Sequence, residues 1–277
     1  MTNDPSISAI DIVQTPPAVA RPALEAEYAA LIALVESFSR DDWSRPTDCT
    51  GWTVRDMVAH LAGSAECAVR KLAMLRHYGY AGWKSRKSPT EFVDYMCRSQ
   101  IASRAGLSDD ELVRDLTRWG TRAPAKLTAG WPGFLRRRTM PPSAGLPSGS
   151  TLSTFLDVIH LRDIWLHRID LTRAVGRERE ITSAEGELVQ QVIRDLAAEW
   201  SGPPVELTLT GPGGGRWRIG DGPPVAHVTE DAVAYLRLLS GRSDECRFVA
   251  ESLRGEAGSA DGDPAVVEAL RAARVIF

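Results

Sequence analysis

The sequence predicts a mainly α-helical protein, with a bundle of four or five helices followed by a small α+β domain. Two observations predict this. Apolar residues recur at three- and four-residue steps through most of the first 175 residues, which is the spacing of one helix face. After Gly176 the run VELTLTG alternates apolar and polar residues, as a half-buried strand does. The 277 residues suffice for two domains. We expect a mobile tail over 1–20, the bundle over 21–178 and the α+β domain over 179–277.

Composition and charge exclude several classes of protein. The 33 basic and 36 acidic side chains leave a net charge of −3, which argues against nucleic acid or an anionic membrane as a partner. The N-terminal residues lack the basic start and apolar block of a signal peptide, so we expect a cytoplasmic protein, as a monomer or weak homodimer. The sequence has no CxxC pair, and free thiols are therefore expected at all four cysteines. These are Cys49, Cys67, Cys97 and Cys246.

The bundle is predicted to start with an amphipathic helix over 22–39. After a turn-rich stretch, Thr53 has the position of an N-cap, with Asp56 as its capping-box partner. The apolar face behind Thr53 continues for more than twenty residues, which predicts one long core helix reaching Leu75.

The elements that follow are read from the same kinds of signal. A helix is predicted over about 89–105 and another over 108–126, where Ser108 and Glu111 form a capping box. The Pro- and Gly-rich segment up to residue 150 predicts a long loop, whose arginines 136–138 we interpret as solvated surface rather than as a carboxylate site. The remaining elements are a helix over 151–175, a helix over 183–200, strands at VELTLTG, RWRIG and VAHV with residues 213–215 as a hairpin turn, and a helix over 230–239.

The helix over 151–175 carries the chemistry. His160, Asp163, His167 and Asp170 fall within an arc of about 80° on one face at 100° per residue. Most of the other side chains of this helix are apolar, so the helix must be largely buried. Burying a carboxylate and imidazoles costs several kcal/mol unless they are paired or bind a metal. This polar stripe therefore needs partners.

Two interpretations of the stripe follow from spacing alone. Asp163 and His167 are one turn apart, as two ligands of one metal would be, but an Asp–His hydrogen bond that holds a buried histidine is the commoner reason for that spacing. His60 is the candidate third ligand, because Gly63 and Ser64 are small neighbours that leave space above its imidazole. A core histidine with a satisfied ring is an equally good interpretation of His60.

Three segments resemble a known family. The first is WSRPTDCTGWTVRDMVAHLAG, the second is DIWLHRID, and the third is VTEDAVAYLRLLSGR. Together they are similar to the mycothiol-dependent maleylpyruvate isomerases and their relatives in the DinB-like superfamily. The resemblance covers roughly residues 22–245 and implies a DinB-like four-helix bundle followed by the small α+β domain.

The resemblance also implies a metal-dependent thiol chemistry. It implies one divalent metal, usually zinc, held by His60, Asp163 and His167, although the isomerases typically have Glu where this chain has Asp163. Three protein ligands leave the fourth position of a tetrahedral zinc open, as in catalytic sites. In the family, mycothiol or a similar thiol takes that position, and a coordinating thiol is deprotonated to the nucleophilic thiolate. The partner is then an electrophilic small molecule.

Three functions stay open at this point. A thiolate that adds to a double bond and leaves gives cis–trans isomerisation. One that attacks and stays gives a mycothiol S-transferase acting on a biosynthetic intermediate or a toxin. The alternative of another class is a non-catalytic binding or regulatory protein that kept the bundle.

Other polar residues have weaker signals. Arg242 matches a basic position in the family's C-terminal domain, so we expect it to contact a substrate carboxylate, and its structural alternative is a charge at a helix C-terminus. His160 and Asp170 are candidates for orienting the ligands or lining the pocket. Cys67 is expected to be a small buried apolar residue. His77 and His227 receive no role.

Overall fold

The computed structural model describes residues 6–88, 91–140, 149–242, 259–262 and 264–277. The chain divides into two compact units, one of Pro16–Thr182 and one that combines Met1–Thr15 with Ser183–Phe277. Mainly α-helical structure with a small α+β part is confirmed, whereas the predicted boundary at 178/179 lies a few residues from this division. No helix in the described ranges is long and apolar enough to cross a membrane. Cys49, Cys67 and Cys97 are free thiols, and Cys246 lies outside the described residues.

The first unit is helical throughout. Its helices are α1 (Pro17–Glu36), α2 (Val54–Val69), α3 (Lys71–Lys84), α4 (Phe92–Ala102), α5 (Asp109–Gly120), α6 (Ala123–Ala129), α7 (Gly133–Arg136), α8 (Leu152–Thr154) and α9 (His160–Val175). A π-helical turn over Phe155–Ile159 joins α8 to α9. Helix α2 packs against α4, α5, α6 and α9, and α1 packs against α5, α6 and α9.

Helix α2 begins where the sequence predicts. Thr53 Oγ1 accepts a hydrogen bond from the Asp56 N–H, and Asp56 Oδ2 accepts one from the Thr53 N–H. The predicted continuation to Leu75 is wrong, because Arg70 is extended (φ −114°, ψ 107°) and separates α2 from α3. The apolar spacing runs across this break, but Leu72 and Leu75 are exposed on α3 rather than in the core. Periodicity alone does not reveal one extended residue between two helices.

Two other helices begin or end at residues other than those predicted. The capping box of Ser108 and Glu111 is confirmed, but the helix it starts ends at Gly120, and α6 begins at Ala123 with Pro124 in its first turn. Proline favours that position and disrupts a helix interior, which explains the division. The helix predicted from residue 89 begins at Phe92, and residues 89–90 lie outside the described ranges.

The predicted loop up to residue 150 is only partly as expected. It contains the short helix α7, and residues 141–148 lie outside the described ranges. Arg137 and Arg138 are exposed as predicted, but the interpretation of Arg136 as solvated is wrong. Its guanidinium is buried, donates to the Leu127 carbonyl at 2.7 Å and pairs with the buried Asp157. Arg136 is buried because its guanidinium pairs with a carboxylate that is itself fully buried.

The second unit is a five-stranded sheet with helices. The strands are β1 (Ile7–Ser8), β2 (Val205–Thr210), β3 (Gly215–Ile219), β4 (Ala226–Asp231) and β5 (Ser259–Gly262), in the spatial order β1-β3-β2-β4-β5. The helices are α10 (Glu185–Glu199), α11 (Ala232–Leu239) and α12 (Pro264–Ala272). Strands β2 and β3 form the predicted antiparallel hairpin, with Gly213 at a φ of 75° in its turn.

The tail predicted over residues 1–20 is corrected from residue 6 onward. Ile7 and Ser8 pair in parallel with β3, and the Val13 carbonyl accepts a hydrogen bond from Gln191 of α10. Helix α1 already begins at Pro17. The partners that hold these residues lie about 180 to 210 positions away in the chain, so no local sequence pattern predicts that this segment is ordered.

Candidate metal centre

Helix α9 positions the polar stripe in the interior of the first unit. Every residue from Ile164 to Thr172 is buried, because the bundle surrounds this helix with α1 and α2. The π-helical turn directly before His160 is a feature frequent at functional sites. The polar groups of α9 must therefore find their partners inside the protein.

The structure brings together the three predicted ligands. His60 Nε2 lies 3.5 Å from Asp163 Oδ1, and His167 Nε2 lies 3.4 Å from the same oxygen. The three candidate donor atoms are all within 4.8 Å of one another. The two imidazoles meet edge to face with ring centroids 5.3 Å apart. His60 comes from α2 and the other two from α9, so the site is made where these helices pack.

A second set of side chains holds the far side of each imidazole. Nδ1 of His60 donates to Gln100 Oε1 at 2.8 Å, and Nδ1 of His167 donates to Asp170 Oδ2 at 3.3 Å. With Nδ1 donating to these acceptors, Nε2 of each ring faces the shared point beside Asp163. Metal-binding histidines are usually held in this way.

The two imidazoles and the carboxylate of the cluster are electrostatically coupled. The pKa of Asp163 lies well below its usual range, because His60 and His167 outweigh the effect of burial. Burial opposes the charged form of His60 as well, but Cys97 and Asp163 raise its pKa to about 10. The pKa of His167 is likewise raised, against burial, by Asp163 and Asp170. In the absence of a cation, Asp163 thus favours a proton on both rings, and a metal ion bound there would displace the protons at Nε2. Two imidazole nitrogens with one carboxylate oxygen form a set that suits zinc.

Trp52 and Cys49 also belong to this site, and spacing did not reveal either of them. The Trp52 ring stacks on the His167 ring with centroids 6.0 Å apart, and its centroid lies 5.2 Å from that of the His60 ring. Cys49 Sγ lies 3.8 Å from Asp170 Oδ2 and 3.9 Å from His167 Nδ1, so Cys49, His167 and Asp170 form a second group of possible ligands. Both residues lie in the part of the first family motif that precedes α2, and this position was the only signal in the sequence that could have assigned them to the site.

His160 is close to the site but faces another partner. Its Nε2 and the Tyr28 hydroxyl are 2.8 Å apart, and both residues are buried. Burial, with a smaller contribution from His60, lowers the pKa of His160 to about 4. Burial and Asp163 raise the pKa of Tyr28 well above its usual value. The pair is therefore neutral near pH 7, which leaves His160 as a hydrogen-bonding residue next to Asp163.

The other residues singled out in the sequence lie elsewhere. Arg242 follows α11 in the second unit, where its N–H donates to the Arg237 carbonyl, and its contact with a substrate stays a prediction. Cys67 is buried as expected, but it also accepts a hydrogen bond from Gln100. His77 is fully buried between Arg76 and Ser99, and the half-exposed His227 pairs with Glu206.

Comparison with known proteins gives a consistent result. Residues 24–172, more than half of the chain, match the family model described as mycothiol maleylpyruvate isomerase N-terminal domain. Two Mycobacterium tuberculosis proteins, uncharacterized protein MT0041 of strain CDC 1551 and uncharacterized protein Rv0036c of strain H37Rv, are 26% identical over 235 residues. These span 79% of this chain and 83% of each relative.

Solved structures share the fold. The crystal structure of the mycothiol-dependent maleylpyruvate isomerase superposes with a TM-score of 0.51 at 18% identity. The structure of a histidine-to-alanine mutant of the mycothiol-dependent maleylpyruvate isomerase gives 0.51 at 17%. Each match covers 83% of this chain and 92% of the other. The family model covers more than half of the chain, including α2, most of α9 and all three clustered residues. The chain therefore belongs to the mycothiol maleylpyruvate isomerase N-terminal domain family.

Proposed function

We propose that this protein is a metal-dependent enzyme that uses mycothiol, or a similar low-molecular-weight thiol, as a nucleophile toward an electrophilic small molecule. The observation that carries the proposal is the convergence of His60 Nε2, His167 Nε2 and the Asp163 carboxylate on one point. Family membership supports the choice of thiol. The partners are then the thiol and the electrophile.

Each residue of the centre has a definite task in this proposal. His60, Asp163 and His167 hold the cation, Gln100 and Asp170 orient the two imidazoles, and Trp52 covers both rings. A divalent cation held there, usually zinc in the family, supplies a Lewis acid that keeps a bound thiol deprotonated near neutral pH. Burial of His60 and His167 limits competing water.

The leading reaction is cis–trans isomerisation of a substrate of the maleylpyruvate type. The thiolate adds to one carbon of the activated double bond, the resulting single bond rotates, and expulsion of the same thiolate restores the double bond in the trans form. No group is consumed in this sequence. Arg242 is our candidate contact for a substrate carboxylate.

The second candidate function is a mycothiol S-transferase, in which the thiolate stays on the electrophile. Asp163 supports this second function, because its side chain is one methylene shorter than that of the Glu typical of the isomerases that the sequence resembles. A shorter carboxylate changes the room left at the cation for thiol and substrate.

Metal content tests the proposal first. Elemental analysis of the purified protein is expected to find about one equivalent of zinc or another divalent metal. His60→Ala and Asp163→Ala are each expected to abolish it. His227→Ala is the matched control, because it removes a half-exposed imidazole in the other unit. Full activity in metal-free His60→Ala protein would make the proposal wrong and leave the non-catalytic bundle as the better interpretation.

Two assays with mycothiol separate the candidate reactions. Conversion of maleylpyruvate to its trans isomer without net loss of thiol identifies an isomerase. Stoichiometric consumption of thiol with an alkylating electrophile such as monochlorobimane identifies an S-transferase. An Arg242→Ala variant is expected to raise KM for the carboxylate substrate without loss of metal, which tests the role of Arg242.

A further inference from the structure

The side chain of Gln100 is the contact between α4 and the candidate metal centre. It is 1% exposed, and its Oε1 accepts the hydrogen bond from His60 Nδ1 at 2.8 Å. His60 is itself 2% exposed. A hydrogen bond between two buried groups is not exchanged for one with water, so the acceptor at this position keeps a proton on Nδ1 of His60 and fixes the ring orientation.

The orientation of the Gln100 amide is itself held. Its Nε2 donates to Cys67 Sγ at 3.8 Å, which leaves Oε1 as the atom that faces His60. Gly63 allows this approach of α4 to α2, since a Cβ on Gly63 would lie 2.6 Å from Gln100 Cβ. Gly63, Cys67 and His60 all belong to α2, so one helix supplies both partners of the amide and the space for it.

We propose that Gln100 is a positioning residue that sets the metal affinity of the centre by holding the Nδ1–H of His60, so that Nε2 is the nitrogen presented to the metal. This inference rests on the metal-binding part of the proposed function and not on the thiol reaction. Gln100 does for His60 what Asp170 does for His167, but with a neutral amide in place of a carboxylate.

A purely structural role predicts a different pattern of mutants. If Gln100 only fills space between α2 and α4, any substitution that disturbs packing weakens the protein and the centre together. If it acts through its acceptor oxygen, a substitution that keeps an acceptor preserves metal binding and one that removes it does not. Gln100→Glu keeps the acceptor, and Gln100→Leu removes it at similar volume.

Zinc affinity, measured by competition with a chromophoric chelator and without thiol or substrate, tests the proposal. Gln100→Leu is expected to weaken zinc binding about 10- to 100-fold, the usual effect of losing such a partner. Gln100→Glu is expected to bind zinc within a few-fold of the wild type. The matched control is Gln191→Leu, which changes a buried glutamine of the other unit that donates to the Val13 carbonyl, and it is expected to leave zinc affinity unchanged.

A milder variant covers the case in which Gln100→Leu does not fold. Cys67→Ala leaves Gln100 in place but frees its amide to rotate, and it is expected to weaken zinc binding by a smaller factor. Unchanged affinity in the folded Gln100→Leu and Cys67→Ala variants, or equal losses in Gln100→Leu and Gln100→Glu, would overturn the proposal. Because no thiol is present, a failed enzyme assay leaves this inference standing, and unchanged zinc affinity in Gln100→Leu leaves the proposed reaction standing.

Discussion

Single buried polar residues hold the ligand helix in place. Arg168 follows His167 in the chain and donates to both carboxylate oxygens of Glu27 on α1, at 2.8 and 3.0 Å, and to the Glu180 carbonyl at 2.8 Å. Arg168 and Glu27 are each at most 1% exposed. Removing one partner of such a pair costs about 3–5 kcal/mol because the other charge is left buried. The family motif DIWLHRID thus contains an anchor as well as ligands.

His77 gives a prediction about pH at the scale of one residue. Burial, with a smaller contribution from Arg76, lowers its pKa from 6.5 to about 4. Above pH 6.5 the ring is neutral in both the folded and the unfolded state. Between pH 6.5 and 4 only the unfolded state takes up the proton, so stability falls as the pH falls, by up to about 3 kcal/mol.

Urea unfolding of the metal-free protein at pH 7.5 and 4.5, followed by circular dichroism, measures this effect. His77→Gln cannot take up the proton, so its loss of unfolding free energy between the two pH values is expected to be smaller than that of the wild type by about 2–3 kcal/mol. Equal losses in the two proteins would show that His77 is not kept neutral by the fold.

At the scale of helices, two glycines illustrate how packing decides the effect of the same change. Both Gly63 on α2 and Gly79 on α3 lie inside helices, where alanine is favoured over glycine by about 0.5–1 kcal/mol. A Cβ on Gly63 would lie 2.6 Å from Gln100 Cβ, whereas a Cβ on Gly79 would have no atom within 4 Å. The first helix is covered by α4 at this point, and the second faces solvent.

The same substitution, glycine to alanine, is therefore expected to change the free energy of unfolding in opposite directions at the two positions. Gly63→Ala is expected to destabilise the protein by about 1–3 kcal/mol, because α4 must move away. Gly79→Ala is expected to stabilise it by about 0.5–1 kcal/mol. Thermal unfolding of both variants beside the wild type measures the difference. A gain in stability for Gly63→Ala would mean that α2 and α4 pack less closely than described.

At the scale of the whole molecule, the two ends of the chain contribute to one unit. Strand β1 pairs with β3 at the edge of the sheet, and Thr15 donates a hydrogen bond to Glu187 of α10. The helical unit of Pro16–Thr182 lies between these segments in sequence. The second unit is therefore complete only when residues before α1 are present.

Deletion of residues 1–15 tests this arrangement. The truncated protein is expected to lose amide protection against hydrogen exchange in β3 and α10, because β3 becomes an unpaired edge. Protection of the amides in α9 is expected to change little, since α9 belongs to the other unit. If β3 keeps its full protection in the truncated protein, β1 contributes nothing to the sheet.

The sequence by itself determined what depends on neighbours along the chain. The capping boxes at Thr53 and Ser108, the alternating strand at 205–210 and the one-turn spacing of Asp163 and His167 are all local, and each is present in the structure. His60 was already a candidate third ligand from its small neighbours, the resemblance to the family implied the same role, and the structure places it in the same cluster.

Only the tertiary structure decided what covers each of these residues. Four of these contacts join segments that are distant in sequence. They are Gln100 with His60, Cys49 with His167, Arg136 with Asp157, and β1 with β3. The break between α2 and α3 at Arg70 is local, but the apolar spacing continues across it, so the spacing does not reveal the break. The physical reason is that periodicity places a side chain on a face of its helix, whereas its partner depends on which other segment packs against that face.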